Sequence, residues 1–272
     1  MSRPDVRLIV ATHKAYAMPE DDMYVPLHVG AALHDEDPGF LRDDEGDNIS
    51  TLNPSFCELT GLYWAWKHLD ADYLGMVHYR RYFALEKPHT GKNLLAHVLQ
   101  HDELAPLLSE YSVFVPSKRH YMIESLYSHY KHTHYAEQLD LVRTILEERY
   151  PDYLNSYDKI VNKKSGYMFN MMILRRDLFD EYCTWVFDVL FTLKDRLPPE
   201  MEQLTGFQGR FYGRISEIIF NVWLDHQLAS GRIGKSEVRE LPVLYIERTN
   251  WIRKGGAFLA AKFLGRKYKR SF

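Results

Sequence analysis

The chain alternates between two hydrophobic periods. Residues 6–11 (VRLIVA) form a short, β-branched apolar run ending in Thr12-His13-Lys14, which predicts a buried first strand feeding a polar loop. From Pro19 to Thr51 the pattern breaks into Pro, Gly, Asp and Asn. It is most polar over Asp43-Asp44-Glu45-Gly46-Asp47-Asn48, so a long loop is expected there. Residues 55–69 carry Phe56, Leu59, Leu62, Tyr63, Trp66 and Leu69 at helical spacing behind the start signal Asn53-Pro54-Ser55. Asp70-Ala71-Asp72 then turns the chain into residues 73–77 (YLGMV), which have the character of a central strand, and residues 78–83 (HYRRYF) sit at its C-terminal end.

The second half continues the alternation. A strand is predicted over 111–116, a long helix over 123–150 ended by Pro151, a strand over 167–174, and an amphipathic helix over 177–193 with Asp177 as its cap. Pro198-Pro199 with Gly206, Gly209 and Gly213 marks a flexible connection, followed by a helix over 215–228 and a late strand over 241–246. Strands alternating with helices, without internal repeats, predict an α/β fold with a mixed central sheet flanked by helices. One domain over 1–250 and a tail over 251–272 describe the organisation.

Composition narrows the function. At 272 residues and 46% hydrophobic content the chain can bury a substantial core, and a net charge of −3 argues against a general nucleic-acid binder. Cys57 and Cys183 are too few and too far apart for a disulfide framework or zinc site. No secretory signal and no run long enough to span a membrane is visible, so a cytoplasmic protein is expected. Nineteen Tyr in a chain that is 14% aromatic suit ring packing on sugar C–H faces, although ordinary core packing explains them too.

The helix, the strand and HYRRYF carry the chemistry. Many enzymes that use nucleotide diphosphates follow such a strand with an Asp-x-Asp that holds a divalent ion. Here His78, Arg80 and Arg81 stand there instead, and guanidinium groups bind phosphate oxygens directly. A metal-independent phosphate site with no metal ligands is therefore expected, with Arg80 or Arg81 doing the ion's electrostatic work. In an extended segment the two point to opposite faces, and the one turned away has an acid such as Glu58 as a partner.

Residues 48–50 (NIS), 53–67 (NPSFCELTGLYWAWK) and 73–83 (YLGMVHYRRYF) together resemble a family first catalogued as a domain of unknown function, whose members occur in bacterial capsular, exopolysaccharide and O-antigen biosynthesis. The likeness continues through Pro26 to Ala32, His134 to Asp140, Phe169 to Met172 and Ser216-Glu217, and covers roughly residues 5 to 250. The resemblance implies a glycosyltransferase of GT-A-like fold, with galactofuranosyl transfer from UDP-galactofuranose as the best-supported activity. A pyranose donor, or a non-catalytic subunit that binds nucleotide sugar or glycan, are the alternatives.

Roles follow from those requirements. Glu217 is the expected general base, with His134 and Asp140 as rivals, and Asn170 and Arg214 are placed on the acceptor side. Thr12, His13, Lys14, Asp47, Asn48, Ser50, Glu58, Trp64, Lys67 and Tyr79 are the donor-binding candidates, although turn bonding explains Asp47, Asn48 and Ser50 equally well. His129, His132 and His134 cluster without a metal-ligand spacing and read as one polar helix face. In the tail, Arg253, Lys254, Lys262, Arg266, Lys267, Lys269 and Arg270 interleave with Phe258, Leu259, Phe263 and Leu264. That pattern suits an anionic membrane surface, where a lipid-linked saccharide acceptor would be met at the inner face of the cell membrane.

Overall fold

A computed structural model describes residues 3–86 and 93–247. The expected tail, with its seven cations and its membrane contact, lies outside the described residues. No described helix is long and apolar enough to cross a membrane.

The strands are β1 (Val6–Thr12), β2 (Tyr24–His28), β3 (Leu41–Arg42), β4 (Tyr73–His78), β5 (Arg81–Phe83), β6 (Val113–Pro116), β7 (Arg119–His120), β8 (Ser165–Gly166), β9 (Met172–Arg175), β10 (Val238–Leu241) and β11 (Val243–Tyr245). The main sheet runs β10-β6-β9-β4-β1-β2-β3, with β5 added to β4 and β11 to β5. β1 is parallel to both β2 and β4, whereas β9 is antiparallel to its neighbours β4 and β6. This is the mixed α/β sheet flanked by helices that the alternation of periods predicts. Because β1 and β4 are buried on both faces, they read as continuous apolar runs.

Close approaches fix the layers. A Cβ on Gly75 of β4 would lie 2.2 Å from the Met172 carbonyl oxygen, so only glycine lets β9 sit this near. On Gly61 a Cβ would come within 2.7 Å of Val29, and the helix Leu59–His68 is thereby seated tightly on the sheet. The opposite side of that helix meets Arg176–Arg196, where Trp66 stacks on Phe187 at 6.0 Å.

Several local expectations are corrected. The predicted loop over 19–51 contains β2 and β3, and Asp43 in its most polar part is fully buried, accepting hydrogen bonds from the Gly30 and Ala31 amides and from Ser50. The helix expected over 55–69 is two, Asn53–Phe56 and Leu59–His68, divided where Cys57 takes a φ of 56°. The helix expected over 123–150 is also two, Leu126–Thr133 and Ala136–Arg149, with His134 in extended backbone between them. The strand expected over 167–174 begins only at Met172, because Phe169 and Asn170 are both left-handed. Arg175, not Asp177, occupies the N-cap position of Arg176–Arg196, with no side-chain capping bond, and Asp177 instead pairs with Arg175 and Arg232. Gly206–Gly209 forms a helical turn and Gly213 lies inside Phe211–Ala229, so that connection is ordered. The late strand is divided by Pro242, which cannot donate to a ladder, into β10 and β11.

Candidate active site

The C-terminal ends of β1 and β4 bring two short segments together. Parallel register sets Ala11 against His78, so His13-Lys14 and Tyr79-Arg80 emerge side by side at one sheet edge. Tyr79-Arg80 is the two-residue turn of a hairpin, with His78 opposite Arg81. Since β9 runs antiparallel to β4, the Phe169-Asn170 turn before it reaches the same edge. The start of the helix Phe211–Ala229 completes the site, because Asn170 donates to the Gly213 carbonyl at 3.1 Å.

The hairpin separates its two arginines. Arg80 turns outward, lies over the Tyr79 ring at 4.8 Å, and has its Nε 2.9 Å from a Glu247 carboxylate oxygen. That nitrogen is an ion contact without hydrogen-bond alignment. Tyr16 donates its hydroxyl to the same carboxylate at 2.9 Å, and Lys14 sits 5.6 Å from the ring centres of Tyr16 and Tyr79. Burial, with Lys14, Arg80 and Arg210 nearby, pulls His13 below its ordinary value, which favours a neutral ring.

Arg81 turns inward. Its guanidinium lies over the Phe169 ring at 4.8 Å, and its Nε has no hydrogen-bond partner among the described residues. Burial lowers its pKa, and the neighbouring charges are Glu217, Glu58 and Arg214. Arg214 and Glu217 sit one turn apart on the helix Phe211–Ala229, and Arg210 is the residue immediately before it. Arg214 bridges to Glu217 at 3.1 Å, and Arg210 donates to the Cys57 sulfur at 3.2 Å. Most of these side chains are surrounded by protein, yet Glu58, His78, Arg81 and Arg214 keep partial solvent contact and Arg210 is exposed, so they line an open recess.

Charge balance in the recess follows from burial. Burial pushes the Glu217 carboxyl up, and the field of Arg214 only partly opposes this. Glu58 is also pushed up by its surroundings, but His78, the Asn170 amide at 2.8 Å and Arg210 outweigh that effect and leave it low, hence ionised. His78 is lowered by burial and by Arg81 despite Glu58, and its Nε2–H donates to the Phe169 carbonyl at 2.5 Å. Cys57 is pushed up to about 11, first by burial and then by Glu58, so its sulfur remains a thiol.

Not every predicted residue reaches this recess. Glu58, His78, Arg81, Asn170, Arg214 and Glu217 meet there, and His13, Lys14, Tyr79 and Arg80 form its outer neighbour. Thr12 is buried and exchanges hydrogen bonds with the backbone of Lys14, so it shapes the loop and presents no ligand group. Ser50 is committed to Asp43, and Asn48 bonds the carbonyls of Asp44 and Gly46 and the amide of Ser50, an Asx-type turn. Asp47 pairs with Lys67 at 3.9 Å, and Lys67 lies 3.6 Å over Trp66. Trp64 is a core residue beside His68 and no donor wall. Asp140 accepts from Tyr127 on the helix Ala136–Arg149, and His134 is buried between Tyr130 and Phe207, so the expected rivals of Glu217 belong to other environments.

Arg210 and Glu247 are the residues that sequence reasoning misses. Arg210 was legible as the residue four before Arg214; Glu247 carried no local signal, since strand β11 brings it to the hairpin from 167 residues beyond Arg80. Among the described residues no three His, Cys, Asp or Glu side chains are arranged to hold a metal ion.

Comparison with known proteins agrees with this architecture. The solved apo structure of the WbbM bifunctional glycosyltransferase is similar at a TM-score of 0.82 and 27% identity, over 90% of this chain and 46% of that one. The chain thus spans about half of that protein. No curated protein matches. The family model described as Domain of unknown function (DUF4422) matches residues 7–228. Covering most of the sheet, both halves of the hairpin and the helix that carries Arg214 and Glu217, that match makes the chain a member of the DUF4422 family.

Proposed function

We propose that the chain is a metal-independent, inverting glycosyltransferase that acts on a nucleotide-diphosphate sugar, with UDP-galactofuranose as the first donor to test. A saccharide on a growing, lipid-linked bacterial surface polysaccharide is the proposed acceptor. The observation that carries this reading is the convergence of Arg81, Arg210 and Arg214 with the carboxylates of Glu58 and Glu217 in one recess at the C-terminal edge of β1 and β4. The similarity to part of a bifunctional glycosyltransferase supports it.

The chemistry needs both charge signs. An acceptor hydroxyl oxygen attacks the anomeric carbon, the bond from that carbon to the diphosphate oxygen breaks, and the nucleoside diphosphate leaves with the electron pair. Guanidinium groups facing the leaving oxygens stabilise that developing charge in a partly desolvated site. Glu217 takes the acceptor proton, and its raised pKa makes it a stronger base than an ordinary carboxylate. Glu58, held by Asn170, balances the cations, while the Phe169 carbonyl holds the His78 ring.

A panel of nucleotide sugars, read out by nucleoside diphosphate release in the presence of a saccharide acceptor, tests the proposal. Acceptor-dependent release from one donor is expected. If the chain binds donors but releases nothing from any of them, it is the non-catalytic binding subunit instead; the Arg214–Glu217 bridge, which engages the proposed base, favours that second reading.

A further inference from the structure

Away from the recess, the chain between β7 and the helix Leu126–Thr133 carries two of the most exposed large apolar side chains among the described residues. Met122 is 79% exposed and Ile123 56% exposed. They are adjacent and outward, although the flanking Tyr121 and Glu124 are buried. Met122 has a φ of 56°, and the Ile123 amide donates to the Tyr121 carbonyl at 2.6 Å, a tight reverse turn that an unbranched L residue rarely adopts. The turn is held from below, because the Tyr121 and Leu126 amides donate to the carbonyls of Lys164 and Lys163. Local energy does not favour presenting these two side chains to water, so a contact outside the chain accounts for them better than folding does.

The surroundings of the tip say what it contacts. Lys118, Arg119 and His120 on one side and Lys163 and Lys164 on the other are all exposed, and β7 pairs with β8 to set them next to each other. Arg119, His120 and Lys164 have no ion pair among the described residues. Lys118 is partly offset by Glu240 at 3.5 Å and Lys163 by Asp225 at 3.7 Å, while Glu124 is buried and taken up by His129 and His132. The tip is therefore apolar, with a basic collar. On the inner side the same segment borders the recess, since the charge of Arg119 acts on Glu217 and Tyr121.

We propose that the Met122-Ile123 tip docks on an anionic membrane surface, its two side chains entering the interface while Arg119, His120 and Lys164 meet lipid phosphates. Paired apolar and basic contacts are the combination that gives stable yet reversible attachment. The proposal does not depend on glycosyl transfer, because lipid binding is measured without a donor.

Co-sedimentation of the full chain with vesicles of phosphatidylcholine containing phosphatidylglycerol tests it, compared with phosphatidylcholine alone. Binding to the anionic vesicles, weakened by salt, is expected. The Met122→Ser/Ile123→Ser variant should bind at least about ten-fold more weakly with an unchanged circular dichroism spectrum. A second variant, Met122→Cys, carries an environment-sensitive fluorophore while native Cys57 and Cys183 stay buried. Its emission should rise on anionic vesicles only. Unchanged binding by the serine variant, or a silent fluorophore on vesicles that still sediment the chain, would place the contact elsewhere, as in the basic segment over 253–270, and overturn the proposal. Absence of vesicle binding by the unmodified chain would overturn it too, including the case where the serine variant changes only self-association and the tip meets a second copy.

Discussion

Arg80 and Arg81 are neighbours in sequence but belong to two different environments. In the outer group His13, Lys14, Tyr16, Arg80 and Glu247 are exposed or half-exposed around the buried Tyr79 ring, and its one close ion contact lies where solvent screens it. The inner group of Glu58, His78, Arg81, Asn170, Arg214 and Glu217, with Arg210 exposed at its rim, is more enclosed by protein, and burial moves several of its pKa values. One hairpin turn makes the difference. A charge therefore gains influence from its placement more than from its type, and the inner group is where a developing negative charge would be met most strongly.

Substitutions in the two groups should differ widely in effect. Glu217→Gln should lower turnover by roughly a hundred- to ten-thousand-fold, with donor affinity nearly unchanged. Arg81→Ala should cost roughly a hundred- to a thousand-fold in kcat, and Arg81→Lys should recover little, because the planar fork is lost. Arg80→Ala is expected to cost less than about ten-fold, chiefly in KM, as befits an exposed contact. Equal losses at Arg80 and Arg81 would dissolve the distinction between the groups.

Stability and pH dependence should also reflect the enclosure of the inner group. Asn170 joins Glu58, Gly213 and Ser216 from a left-handed position that Asn tolerates better than most residues. Asn170→Ala should destabilise the fold by about 1–3 kcal/mol in denaturant titration, since it strands buried partners. The acidic limb of the kcat/KM profile should lie above the ordinary carboxylate range, because a base works ionised and burial raises Glu217. Arg214 opposes that rise, so Arg214→Met should move the limb to higher pH; a shift to lower pH would remove Glu217 as the titrating group.

Much of this was legible in the chain. β1 and β4 read as apolar runs because parallel strands covered on both faces need no alternation. HYRRYF at the end of β4 was visible as a concentration of cations at the C-terminal edge of a central strand. What could not be read depended on contacts distant in sequence. Asp43 and Ser50 look like solvated loop residues, and only the return of the Gly30-Ala31 backbone makes them an internal cap. The break at Cys57 and the left-handed Phe169-Asn170 turn carry no glycine or proline to announce them. Helical periodicity runs straight through His134, yet its ring is packed between Tyr130 and Phe207. Such positions are set by packing, which overrides local pattern.

We propose that the partly enclosed guanidinium groups of Arg81 and Arg214 take the place of a metal at the leaving diphosphate. The most direct test is nucleoside diphosphate release by the purified full chain from the donor that the panel selects, after exhaustive EDTA treatment. Undiminished, acceptor-dependent release is expected, lowered roughly a hundred- to a thousand-fold by Arg81→Ala. Loss of release that manganese restores would contradict it.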